Sequence, residues 1–239
     1  MADKYQVDHL HRTLVKMLEE DWPTTLEAWD ENEKYLYDLQ SDMPEPFLDG
    51  ITPEPCAAIR LAMRCHVPSI LPAAFYHLVR LSPAYSRRVA NSCYEGLSLE
   101  DEELFRTYLE DGGRTAELEL LAPEDFLCLI RGKEALKKYF DRMSTGSIKG
   151  LDDAHKADGC RKSCSYVSAN TAPRGLKARL LDDFDLLNVV KQSSPSSGKK
   201  GRPGYCPIYT QWVTQEREEI WDNLPVFFQL ETKPETDED

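Results

Sequence analysis

The sequence predicts an all-α fold, an irregular helical array with a long basic loop region. Apolar residues recur at helical spacing in several separate stretches, and prolines stand where those stretches start and stop. Residues 144–205 break the pattern, being rich in Ser, Gly, Lys and Arg and poor in large apolar side chains.

The first helix carries Tyr5, Val7, Leu10, Leu14 and Leu18 between polar residues, and Trp22-Pro23 ends it, because proline disfavours a helical residue before it. Pro23 suits the first turn of a second helix, with Leu26, Trp29, Tyr35, Leu36 and Leu39 following. Residues 41–55 contain four prolines and Gly50 among acids, the composition of a loop. Pro55–Cys65 and Ser69–Leu81 form two short apolar helices joined at His66-Val67-Pro68, the best candidates for a buried centre. Residues 98–111 are acidic, an exposed helix or loop. Pro123-Glu124-Asp125 starts the clearest helix, through Phe126, Leu136 and Phe140 to about Met143, with Gly132 an interruption costing about 1 kcal/mol against alanine. A helix near Leu176–Val190 crosses the basic segment, and Ser193–Gly198 reads as a linker. A last helix covers Pro207–Asn223, with Ile208, Trp212, Val213, Ile220 and Trp221 on its buried side. Leu224-Pro225 stops it, and Val226, Phe227, Phe228 and Leu230 remain to be buried. Residues 231–239 read as an acidic disordered tail.

The 239-residue chain is long enough for a core without staples, and its net charge of −13 opposes a broad grip on nucleic acid or anionic lipid. Residues 144–205 are the exception: eleven basic against six acidic residues leave them at +5 and the remainder at −18. No apolar run is long enough to span a bilayer, and no secretory leader is visible, so the expected place is intracellular, in cytoplasm or nucleus. In a reducing compartment the seven cysteines read as thiols or metal ligands.

Three stretches together resemble fungal (basidiomycete) BTB/POZ domain-containing proteins. Ala2–Val7 with the Leu-spaced helix behind it is similar to the late helices of a BTB domain. Ile59–Ala62 and Val67–Leu78 are similar to the helical region that follows. Pro123-Glu124-Asp125, Leu127-Cys128, Arg131-Gly132, Glu218–Trp221 and Leu224-Pro225 resemble the C-terminal part. The resemblance implies late BTB-like helices over 1–43, a BACK-like helical region over 44–143, the basic loop-rich segment with one helix over 144–205 and a C-terminal helix over 206–230. It implies a protein-interaction role, with a protein as partner. On this resemblance the chain starts inside the last BTB helices, without the sheet, so BTB dimerisation and docking to a cullin-type ubiquitin ligase do not carry over.

No phosphate loop, dinucleotide glycine motif, HExxH helix or GxSxG elbow occurs, and no catalytic residue is nominated. His9 and His11 are two apart and point to different sides of a helix, and the neighbours Cys65 and His66 make a poor nucleophile–base pair. Asp152-Asp153 and Asp182-Asp183 read as solvated acids. Cys160, Cys164 and Cys206 could place three thiolates on one ion, with His155 or Cys128 as the fourth ligand, against free thiols as the plainer reading. No cofactor is expected, and zinc is the single candidate. Lys199-Lys200-Gly201-Arg202-Pro203 resembles the core of an AT-hook, with lysine where arginine usually stands. It supports the alternative function, a weak DNA-binding or nuclear regulatory protein, against a plain linker. Trp22, Trp29, Trp212 and Trp221 read as core anchors in preference to partner contacts. The expected function is non-enzymatic protein interaction, as a BTB-related adaptor or a fragment of one.

Overall fold

A computed structural model of the chain describes residues 2–42, 52–81, 114–143, 187 and 207–230. The helices are α1 (Ala2–Asp21), α2 (Leu26–Asp42), α3 (Pro55–Cys65), α4 (Leu71–Arg80), α5 (Pro123–Arg142), α6 (Pro207–Asp222) and the short α7 (Leu224–Phe227). Tight 3-10 turns occupy Pro68–Ile70 and Leu118–Leu120. No strand occurs among the described residues, and the protein is all-α. Of the basic segment only Leu187 is described, in a helical position, and the tail lies outside the described residues. The chain forms two compact units, residues 1–132 with 228–239 and residues 133–227.

In the first unit the prolines act as starters. Pro55 takes the first position of α3, where a missing N–H costs nothing. Glu54 caps the same end: one carboxylate oxygen accepts from the Ala57 N–H, and the other accepts from the Glu117 N–H at 2.9 Å. One acidic side chain thus starts a helix and ties down the 114–117 segment. His66 ends α3 in the left-handed region at φ 55°, and the Val67 N–H closes onto the Ala62 carbonyl at 2.9 Å. Pro68 then opens the turn that leads into α4.

Helix α4 is the centre of this unit. Leu71 and every residue from Ala73 to Val79 are buried, and a helix covered on all sides is a core helix. Ile59 and Ala62 of α3 are buried beside it in the same core. The Phe228 ring stacks on Phe75, with centroids 5.4 Å apart and planes at 23°. Phe228 also explains Gly132, which is buried: a Cβ built at that position would fall inside the Phe228 ring. The glycine is therefore required for close approach, and is more than a helix interruption. Arg131 donates to the Gln229 side-chain oxygen at 3.0 Å, holding the same strip of chain.

Asp125 is the third residue of α5 and accepts from the Ala122 N–H at 2.9 Å, the return half of a capping box. The same carboxylate oxygen takes Arg60 of α3 at 3.0 Å. Three details differ from the sequence expectation. Pro23 is not in the first turn of α2, which begins at Leu26 with the Thr25 hydroxyl accepting from the Ala28 N–H at 3.2 Å. A threonine hydroxyl satisfies a terminal N–H, which proline cannot do. The long helix α6 does stop before Leu224-Pro225, at Asp222, but that pair also opens the short α7, since proline is tolerated in a first turn. Val226, expected to be buried, points to solvent on that short helix while Leu224, Phe227 and Phe228 are buried.

The second unit is built around Leu136, Tyr139, Phe140 and Met143, with Leu187, Val213, Ile220, Leu224 and Phe227. Trp212 and Trp221 are half-buried. Tyr139 lies against Phe227 at 5.7 Å between ring centroids, and its hydroxyl donates to the buried Glu216 carboxylate at 3.0 Å. Burial, then the negative charges of Glu216 and Glu219, push the Tyr139 phenol far above its ordinary value, so it remains a donor. Arg217 is buried and donates to the Leu187 carbonyl at 3.2 Å.

Candidate functional site

The densest polar group among the described residues sits where α2 meets α4. Glu33 of α2 receives both guanidinium arms of Arg80, at 3.0 Å and 2.6 Å, the paired geometry that makes arginine–carboxylate contacts strong. Arg114 donates to the same carboxylate at 3.2 Å. Burial alone would push the Glu33 carboxyl up, but the charge and hydrogen bonds of Arg80, then the charge of Arg114, hold it well below the usual carboxylate range. The Arg80 guanidinium lies 5.2 Å from the Trp29 ring centroid, and Trp29 meets Tyr76 edge to face at 5.4 Å. One turn back on α4 is His77, only 6% exposed, with the Trp22 ring 5.7 Å away at 77°. The Trp22 indole N–H is buried and has no acceptor among the described residues. Burial, followed by the charges of Arg114 and Arg80, holds His77 well below an ordinary histidine, so its ring is neutral. Both Glu33 oxygens accept bonds from arginines, and the arrangement fastens α2 to α4.

The second feature is an apolar stripe on α1. That helix turns Leu18 inward and is tied at two points: the His11 Nε2–H donates to the Cys65 carbonyl at 3.0 Å, and the Ser69 hydroxyl donates to Glu19 at 2.8 Å. Leu10, expected to be covered with Leu14 and Leu18, is instead 66% exposed, and Met17 is 57% exposed. Leu14 between them is half-buried. Positions i, i+4 and i+7 fall on one face, so these three form a strip beside the docked side of the helix. On α5, Leu127 and Ile130 are a smaller exposed pair, flanked by Glu124 and Glu134.

The zinc candidates Cys160, Cys164, Cys206 and His155 lie outside the described residues, as do the acid pairs and the Lys199–Pro203 segment. No group of three or more metal-ligating side chains occurs among the described residues. Cys56, Cys65 and Cys128 are free thiols, and burial is the main cause that pushes the thiols of Cys56 and Cys128 up. His11 serves the packing of α1, and His66 ends α3, so the histidines near Cys65 have structural roles. Trp22 and Trp29 are core residues, each 4% exposed. The sequence reading did not single out Glu33, Arg80, Arg114 or His77. The available signal was a histidine and an arginine inside the apolar run Leu71–Leu81, where a charged group needs a partner.

No described helix is long and apolar enough to cross a membrane. Comparison with protein-family models, curated proteins and solved structures found no match. The resemblance to BTB/POZ proteins therefore stands on the sequence motifs alone.

Proposed function

We propose that the chain is a non-enzymatic protein–protein interaction module whose contact surface is the Leu10–Leu14–Met17 stripe of α1. The observation that carries this reading is the exposure of two large apolar side chains on a helix whose other side is already seated on α3 and the 68–70 turn. A helix face of this kind fits helix-in-groove or helix-on-helix association, with its anchors one and two turns apart. The resemblance of residues 1–43 to late BTB helices supports an adaptor role of the same kind, without cullin docking.

The test is the double variant Leu10→Glu with Met17→Glu. Both positions face solvent, so the helical circular dichroism and melting temperature should stay within a few degrees of the unaltered protein. Partners recovered with the unaltered chain, by quantitative affinity purification, should be lost with the variant. Undiminished recovery of the same partners would overturn the assignment of this surface.

A further inference from the structure

The pairing of His77 with Trp22 has a consequence separate from any partner, and it holds whether or not the α1 stripe is a contact surface. We propose that His77 makes the seating of α1 on α3 and of α2 on α4 acid-labile, a proton taken up at its ring releasing the Trp22 turn and the two helices on either side of it.

Trp22 lies in the short connection between α1 and α2, so whatever dislodges it acts on both helices. Its ring rests against His77, and its own indole N–H finds no acceptor among the described residues that would anchor it there independently. Among the described residues, the charged groups facing His77 are Arg80 on its own helix, Arg114 on the 114–117 segment and Glu33 on α2. Trp22, the residue packed on the ring from the α1–α2 connection, carries no charge. The Glu33 carboxylate accepts bonds from both arginines. A charge formed on His77 would be buried beside two like charges, with the Glu33 carboxylate already engaged. Opening the Trp22 turn hydrates the imidazolium and removes that cost.

The direction follows from linkage. Burial and the arginines hold His77 well below its ordinary value of 6.5 in the closed form, while in the open form it returns toward that value. Above pH 6.5 neither form carries the proton, and the seating is indifferent to pH. Below it only the open form does, and the open-to-closed ratio rises about tenfold for each pH unit lost. Glu33 acts in the same sense, but only below its ordinary 4.5.

Amide hydrogen exchange read by mass spectrometry on the full chain, with times scaled for the intrinsic rate, measures the opening by segment. Between pH 6 and pH 5, peptides across Val15–Leu36 should gain about tenfold in opening, with α3 unchanged, and His77→Gln should abolish that gain. The same gain in His77→Gln would overturn the proposal, and so would an equal loss of protection over α3. Should that variant fail to fold, the unaltered protein still decides. The His77 ring proton shift must remain that of a neutral imidazole from pH 7 to 5.5, and a transition centred near 6.5 would overturn the proposal.

Discussion

Phe228 lies over Gly132 so closely that a single methyl at residue 132 would occupy the space of the ring. The same Phe228 ring stacks on Phe75, so Gly132 is the relief that lets a distant aromatic reach the central helix. Gly132→Ala should therefore destabilise the protein, although alanine is the better helix former by about 1 kcal/mol. Displacing a buried ring costs about 1–3 kcal/mol, and more where the neighbours are fixed. Urea unfolding followed by far-ultraviolet circular dichroism gives the difference. An unchanged or higher midpoint would show that the ring is free to move aside.

Glu33→Gln removes the charge that two half-buried arginines share. Breaking a buried ion cluster by deleting one partner costs about 3–5 kcal/mol, with the lower end expected here because the side chains are partly exposed. The carboxyl is held below its ordinary 4.5, so its contribution is complete above that pH and declines as pH falls below it. Urea midpoints of the variant and the unaltered protein should differ clearly at pH 7 and converge toward pH 3. A constant gap across that range would mean the ionised carboxylate is not the source.

Tyr139→Phe should lower stability by about 1–3 kcal/mol, because the buried Glu216 carboxylate loses its donor. Its phenol is pushed above the ordinary 10.0, so the stabilisation is present below pH 10 and lost as pH rises further, when only the unfolded chain gives up the proton. In a spectrophotometric titration of the 11 tyrosines, the component that ionises only with unfolding should be smaller by one tyrosine in the variant. Identical titration curves for the two proteins would refute the buried donor.

The helices of the described residues carry cores of their own, so the protein should fold without metal. Metal analysis of protein purified without chelator, with thermal melts before and after chelation, checks this. One tightly held zinc per chain, with a large drop in melting temperature on removal, would instead give Cys160, Cys164, Cys206 and His155 a structural role.

Most element positions were legible because their signals are local. Pro55 and the His66-Val67-Pro68 joint bounded α3 correctly, and the apolar run after Ser69 placed the core helix. Ends governed by side-chain oxygens were read less well. Glu54 was absorbed into a loop by its proline-rich neighbours, and Thr25 lost the start of α2 to Pro23. The ion cluster was not legible at all. Glu33, Arg80 and Arg114 are 47 and 81 positions apart, and no periodicity relates them. The use of Gly132 was hidden for the same reason, since its partner ring arrives from the far side of the basic segment. The zinc candidates and the basic hook-like segment fall outside the described residues.

The stack of Phe75 on Phe228 also sets a timetable for synthesis. Helix α4 leaves the ribosome apolar on nearly every side, and the ring that completes its cover follows about 150 residues later. At the usual translation rate of about 5–20 residues per second, the nascent chain waits roughly 8–30 seconds with that flank of its central helix uncovered. During that interval the helix is a natural client for a chaperone that holds apolar segments. Slowing translation through the 144–205 stretch should lengthen the exposure and lower the yield of folded protein.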